Sequence, residues 1–384
     1  LPGVPRAVIL TGLAASRIRT LLAGGGIQQD KEHINMTQPL TAISDNGQPV
    51  DWWFIYKVPK NARPASAVGH AGAGATGYEY VYYDAQNTTL APSQHSLNEP
   101  ANALSATLCQ LVDDTGDSAG WIFYNDEFPL ELHKINAGSK GHTKGVLAFD
   151  LESNSAFWLL HSVPRFPLPG TDDFPTDELD YGQTFLCITL QDVATAETIA
   201  QQMLAQQGPQ TYGARLPQSL DAASVWRALA SDSLSLVATP SDITFSSLGG
   251  RTFRSIAKSR LWGKDMWIDL VGPNLGVDLD VESWRRGAIP SDEDSDSRDW
   301  VADDISIDLE PLGAPYYWQN AKDHAKWALS VEDNDDWVCV ADINRQTSQE
   351  KRGGGTICFQ ESGLWSGLSQ IVKCDPPSNT PGGG

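Results

Sequence analysis

Two His-x-Lys units, His142-Thr143-Lys144 and His324-Ala325-Lys326, lie far apart in the chain, and each runs straight towards an apolar strand. This duplication limits the possible folds more than any other feature. In an extended segment residues two apart point to the same side, so each unit sets an imidazole beside an ammonium. Val146 to Phe149 follows the first unit, and a second apolar run, Ala156 to Leu160, leads into His161-Ser162-Val163-Pro164. Behind the second unit comes the apolar run Trp337 to Val340, which ends in Asp342-Ile343-Asn344-Arg345. The pattern predicts two similar halves that pool one site. A chain with seven His gives about one His-x-Lys by accident. Taken singly, either unit reads equally well as a solvated strand.

The 384 residues are enough for one large core or two ordinary domains. No run of eighteen apolar residues exists, so no membrane-spanning helix is expected. The formal charge of −21 argues against a protein that holds nucleic acid by charge at neutral pH. Local positive clusters, or an acidic working pH near the pI of 4.6, would reconcile the balance with a polyanion. A soluble exported acidic protein fits the same numbers. The opening stretch, Arg6 to Ser16, has the shape of the end of a secretory signal, with Arg17 and Arg19 close behind it. Asn35-Met36-Thr37 and Asn87-Thr88-Thr89 are N-glycosylation patterns, meaningful only after export from a eukaryotic cell.

Four segments follow from the punctuation: an extension over 1–40, a first half over 41–208, a second over 209–374 and a Pro/Gly-rich tail over 375–384. The first half carries strands at Trp52–Val58, Tyr78–Tyr83, Trp121–Tyr124 and Gln183–Leu190, with helical character at Ala101–Leu111. Ala194–Gln206 is the clearest helix; Asp192 caps it and Gly208-Pro209 ends it at the seam. Beyond the seam a helix is expected near Ala222–Leu229. Strands follow at Leu234–Val237, Thr252–Ala257, Met266–Val271 and Thr356–Phe359, and Leu364–Val372 reads as a closing helix. Residues 291–310 form an acidic loop in which Asp292, Asp294, Asp296 and Asp303 have a calcium-loop spacing. Ser297 and Asp303 replace the Gly and Glu that such a loop needs, so a solvated loop is the reading and no metal site is expected.

Brought to one cleft, the two units can displace at phosphorus. One neutral imidazole attacks while the other, protonated, hands a proton to the departing oxygen. Lys144 and Lys326 hold the phosphate oxygens and Asn344 adds a neutral donor, so no cofactor is called for. The Arg352-Gly353-Gly354-Gly355 turn offers main-chain N–H groups to an anion, with a plain tight turn as the competing reading.

The words Asn46-Gly47-Gln48-Pro49-Val50-Asp51-Trp52, Gly141-His142-Thr143-Lys144-Gly145-Val146, His161-Ser162-Val163-Pro164, Tyr181-Gly182-Gln183-Thr184, Asp323-His324-Ala325-Lys326-Trp327 and Arg352-Gly353-Gly354-Gly355-Thr356 occur in this order. Together they resemble the deoxyribonuclease II family over about residues 40–373. The resemblance implies an α/β phospholipase D-like pseudo-dimer, two α/β/α sandwich halves sharing one central active site. It implies an acid-active, metal-independent endonuclease that leaves 3′-phosphate and 5′-hydroxyl ends on DNA, in a secreted or lysosomal setting. The implied catalytic residues are His142, Lys144, His324, Lys326 and Asn344, with His142 attacking and His324 as the acid. Arg352 and Gly353 of the glycine turn are candidates for the substrate side, as is His161 near the first pair, which in the family reads as strand-end scaffold. A disulfide between Cys339 and Cys358 is also implied. Ala42 stands where animal members carry a Cys and 291–299 holds none, which leaves Cys109, Cys187 and Cys374 without the family's partners. An exported microbial enzyme fits as well as a lysosomal one. Two other readings stay open: a phosphodiesterase of the same fold acting on lipid or a protein–DNA adduct, and an inactive DNA-binding homologue. Monomer and homodimer are equally open.

Overall fold

A computed structural model describes residues 38–67, 74–112, 116–132, 140–168, 170, 174–284, 289, 301–331 and 335–374, all within the compact unit Thr37–Gly384. The signal-like start, the first glycosylation pattern, the tail and loop residues 291–300 lie outside the described residues. Two large sheets carry the molecule. The first runs, in spatial order, Thr211–Arg215, Ala119–Tyr124, Gly145–Asp150, Ser155–His161, Gln183–Leu190, Trp52–Lys57, Tyr80–Asp84 and Ala91–Pro92. The second runs Ser241–Ser246, Thr252–Lys258, Gly354–Gln360, Trp337–Ala341, Trp327–Ser330, Leu279–Glu282, Val301–Asp308 and Tyr317–Gln319, with Val372–Cys374 also paired to Val301–Asp308. Neighbours are antiparallel except Leu279–Glu282 beside Val301–Asp308.

Strand alternation sorts the side chains into layers. Trp52, Phe54 and Tyr56 face one core while Trp53 and Ile55 face another, and Ser155–His161 divides likewise. The first of these cores also takes Trp327, Leu329, Val340, Ile357 and Phe359 from the second sheet. The two sheets therefore share a central apolar layer, and each has an outer core of its own. Helices Val193–Gln202, Val225–Ala230 and Ser362–Ser369 bury Ile199, Trp226 and Leu364 in the shared layer. Each such large side chain contributes about 1.5–3 kcal/mol by leaving water. The result is a mixed α/β architecture.

Several expected elements differ. Leu234–Val237 is not a strand: Ser235 and Val237 donate their N–H groups to Leu204 and Ala205 carbonyls at the end of the preceding helix. The edge strand is instead Ser241–Ser246. Met266–Val271 coils as a wide helical turn, Trp267–Val271, because Asp265 Oδ1 accepts from the N–H groups of Trp267 (2.8 Å) and Ile268 (3.0 Å). Short apolar runs do not separate these outcomes by period. The acidic stretch becomes a buried strand from Val301, where Arg345 donates to Asp303 at 2.8 Å and both side chains are buried. The closing helix stops at Ser369, and Val372–Cys374 turns back as a strand. The helix capped by Asp192 ends at Gly208 as expected, with φ at 63°. Thr211–Arg215, past that seam, still pairs with the first sheet.

Candidate active site

Both His-x-Lys units end where a central strand begins, at Gly145 and at Trp327. Each is tied by its main chain to the far half of the sequence. The His142 N–H donates to Gly353 O at 2.8 Å, and the His324 N–H donates to Gly182 O at 2.9 Å. Only glycine permits these approaches: a Cβ on Gly353 would stand 2.4 Å from Gln207 O, and one on Gly182 would stand 2.6 Å from Asp323 Oδ1. The Lys144 N–H also reaches Asp342 Oδ1 at 3.3 Å.

Around His142 the neighbours are charged. Its Nε2 lies 3.4 Å from Asp126 Oδ2 and 3.4 Å from Lys144 Nζ, while Lys144 Nζ donates to the other oxygen of Asp126. Arg352 Nη1 donates to Asp126 Oδ2 at 3.1 Å and its Nη2 to Gly141 O at 2.7 Å. Burial would raise the Asp126 carboxyl, but His142, Lys144 and Arg352 outweigh it and hold the group well below its ordinary range. Burial pushes the His142 imidazole well down; Asp126 opposes this, and Lys144, Lys326 and Arg352 add to it.

Around His324 the neighbours are rings. Tyr181 stacks on it with centroids 3.8 Å apart and planes 10° off parallel, and Trp284 leans on it at 4.8 Å. Its Nδ1 lies 3.4 Å from Glu178 Oε2, which also accepts from Gln183 Nε2 at 3.1 Å. Burial and then Asp177 raise the Glu178 carboxyl to about 7. Burial, Lys326 and Lys144 push His324 down to about 2. Lys326 donates to the His324 carbonyl and is lowered to about 7 by burial and Lys144. Buried Asp323 fixes this stretch by accepting from Tyr56 Oη, Trp318 Nε1 (2.6 Å) and the Ala325 N–H (2.8 Å).

The two neighbourhoods act on each other: the field on His142 includes Lys326, and that on His324 includes Lys144 and Asp126. Buried polar atoms without a partner among the described residues collect here: His142 Nδ1, His161 Nε2, His324 Nε2, Asp342 Oδ2 and Asn344 Oδ1. Such atoms are rare in a finished core and are satisfied by what binds. Asp342 is raised to about 8 by burial, against Lys144 and Lys326. His161 is buried, accepts from the Val163 N–H at 3.2 Å, packs on Phe166, and sits in the field of both lysines. Arg352 holds Asp126 rather than open solvent, and Gly353 spends its carbonyl on His142. Cavities of about 580 and 620 Å³ lie elsewhere, beside Asp45 and His95 and between Leu130 and Phe174; neither includes a His-x-Lys residue.

Cys339 and Cys358 form a disulfide, as the resemblance implies, between paired strands that lead to Asn344 and from Gly353. Cys187 is a buried thiol, Cys109 is exposed, and the side chain of Cys374 lies outside the described residues. Among the described residues no group of three or more His, Cys, Asp or Glu could hold a metal ion. No described helix is long and apolar enough to cross a membrane. The residues that sequence reasoning missed are Asp126, Glu178, Trp284 and Asp342. Asp342 and Tyr181 stood within the quoted words, where their chemistry could have been read, but a lone Asp126 two residues past a strand carries no signal.

The profile of the family Deoxyribonuclease II matches residues 41–376. "Putative deoxyribonuclease-2" of Burkholderia pseudomallei is 48% identical over 336 residues, 87% of this chain and 92% of the relative. "Deoxyribonuclease-2" of Caenorhabditis elegans is 34% identical over 88% of this chain and 95% of its own length. "Deoxyribonuclease-2-alpha" of Sus scrofa is 31% identical over 88% and 90%.

Proposed function

The chain belongs to the deoxyribonuclease II family, and we propose that it cuts DNA internally at one centre to which His142, Lys144, His324, Lys326 and Asn344 all contribute. It is a deoxyribonuclease II-like nuclease, and DNA is its substrate. The observation that carries the shared centre is the reciprocal exchange of main-chain bonds, His142 to Gly353 and His324 to Gly182. The same exchange supports residues 41–208 and 209–374 as the two halves of a phospholipase D-like pseudo-dimer, with Thr211–Arg215 crossing back to the first sheet.

The division of labour follows from what each imidazole touches. His324 has a carboxyl group on Nδ1 and a vacant Nε2, the arrangement that holds the nucleophilic tautomer. Burial and the cations around it push His142 down, but its Nε2 faces the Asp126 carboxylate, which opposes that shift and orients the proton the imidazole carries in the first step. This reverses the assignment drawn from the resemblance. In the first step the His324 Nε2 lone pair forms a bond to phosphorus as the bond to the 5′ oxygen breaks, and His142 gives that oxygen its proton. In the second, water loses a proton to His142 and attacks phosphorus, the P–N bond breaks, and a 3′-phosphate leaves. Lys144, Lys326 and the Asn344 amide offset the charge on the phosphate oxygens, so the chemistry runs without a metal ion.

Acid activity has a local cause. As pH falls through about 8 and 7, Asp342 and Glu178 become neutral and Lys326 becomes charged, so the phosphate site gains positive charge. That supports work in an acidic compartment, secreted or lysosomal. The test is plasmid nicking at pH 5 in EDTA. Wild type should nick, His142→Ala and His324→Ala should not, and acid-resolved peptide mapping should find phosphate on His324. An inert wild type or an undiminished double variant sinks the reading, and phosphate on His142 restores the opposite assignment.

A further inference from the structure

Two buried lysines stand at matching places, one at the end of a strand in each large sheet. Lys57 ends the strand Trp52–Lys57 and pairs with Gln183, the residue after Tyr181-Gly182. Lys258 ends the strand Thr252–Lys258 and pairs with Gly354, the residue after Arg352-Gly353. Both are fully buried. An ammonium has three donors, and out of water each must be met. Lys57 Nζ donates to Val58 O (3.2 Å), Leu179 O (3.2 Å) and Tyr181 O (2.7 Å). Lys258 Nζ donates to Gln349 O (3.0 Å), Glu350 O (2.9 Å) and Arg352 O (2.8 Å).

Two of the three carbonyls on Lys57, those of Leu179 and Tyr181, and all three on Lys258 belong to the turn that serves the other half's histidine. The turn under Lys57 carries Glu178, Tyr181 and Gly182, all three of which touch His324. The turn under Lys258 carries Arg352, which holds Asp126, and Gly353, which accepts from His142. We propose that Lys57 and Lys258 are a matched pair of positioning residues, each clamping the loop of its own sheet so that it fixes the imidazole supplied by the other half. Neither touches the scissile phosphate. The clamp costs burial of two charges, and both ammonium groups are lowered by that burial, Lys57 to about 7 and Lys258 to about 8. A core that needed only packing would place apolar side chains here at lower cost.

The proposal rests on the two-histidine centre described above, so its test has a readout apart from cleavage. The full chain, labelled with ¹⁵N at its histidines, is compared as wild type, Lys57→Met and Lys258→Met by imidazole ¹⁵N–¹H spectra titrated from pH 5 to 8. Lys57→Met should move the His324 resonances and leave those of His142 in place; Lys258→Met should do the reverse. For each variant kcat on plasmid should fall about tenfold or more with KM within about twofold, since orientation rather than binding is lost. Lys57→Arg and Lys258→Arg, which keep the charge but not the three-carbonyl geometry, should give the same crossed pattern more weakly. Shifts in both histidines, in neither, or in the same one for both sites overturn the proposal. So does a site at which both the Met and Arg variants leave no folded protein, because the lysine is then plain core. A wild type that leaves DNA intact defeats the nuclease reading instead, and the spectra then decide the clamp by themselves.

Discussion

His142 and His324 each stand two residues before a lysine that leads straight into a strand, yet one is surrounded by charges and the other by rings. Asp126, Lys144 and Arg352 enclose the first; Tyr181 and Trp284 flank the second, with Glu178 at its edge. Unequal surroundings of this kind are how a protein sets two like side chains to different chemistry. Glu178 and Asp126 mark the contrast most clearly. Both are buried carboxyl groups beside an imidazole, but Lys144 and Arg352, together with His142, hold Asp126 ionised, whereas burial leaves Glu178 near 7.

The largest effect should come from Asp126→Asn. It removes the carboxylate that favours a proton on His142 and leaves Lys144 and Arg352 uncompensated. kcat should fall by about 10²–10⁴ at every pH from 5 to 8, and a loss confined to one end of that range would break the contrast. Glu178→Gln is the counterpart. Below about pH 7 the native carboxyl is already neutral, so an amide should cost little at pH 5 and about tenfold at pH 8. Equal losses at both pH values would show that the carboxylate acts in its charged form throughout.

Asp342→Asn sharpens the comparison from the side shared by both centres. The native group holds a proton below about 8 and becomes an anion above it. A permanent amide should therefore carry activity to higher pH, moving the alkaline limb of the kcat/KM profile up by about one unit. A profile unchanged from pH 5 to 9 would remove Asp342 from the account of acid activity. Smallest is Tyr181→Leu, which takes one ring from His324. An aromatic pair is worth about 0.5–1.5 kcal/mol beyond its area, so kcat should fall no more than about tenfold.

Much of this arrangement was legible from residues in a row. The aromatic and β-branched run at Trp52–Lys57, the cap at Asp192 and the strands that carry Cys339 and Cys358 follow from local pattern, while the disulfide between those two was implied by the family resemblance alone. Where the reading failed, the backbone had found partners that sequence does not display. Ser235 and Val237 are held by the end of a helix, Asp265 coils the turn after it, and Arg345 draws Asp303 into a buried strand. Each failure fell on a short segment whose period suits more than one structure.

What the sequence determined by itself is that each unit carries an imidazole and an ammonium two residues apart at the entrance to a strand. That spacing is a local property; it brings Lys144 Nζ within 3.4 Å of His142 Nε2, while Lys326 Nζ turns back to the His324 carbonyl. Tertiary structure alone decided what each imidazole faces: Asp126 from one loop, Glu178 and Tyr181 from another, Trp284 from a third. A protonation state depends on burial and on charges a few ångströms away, and folding brings those charges in from residues tens to hundreds of positions distant.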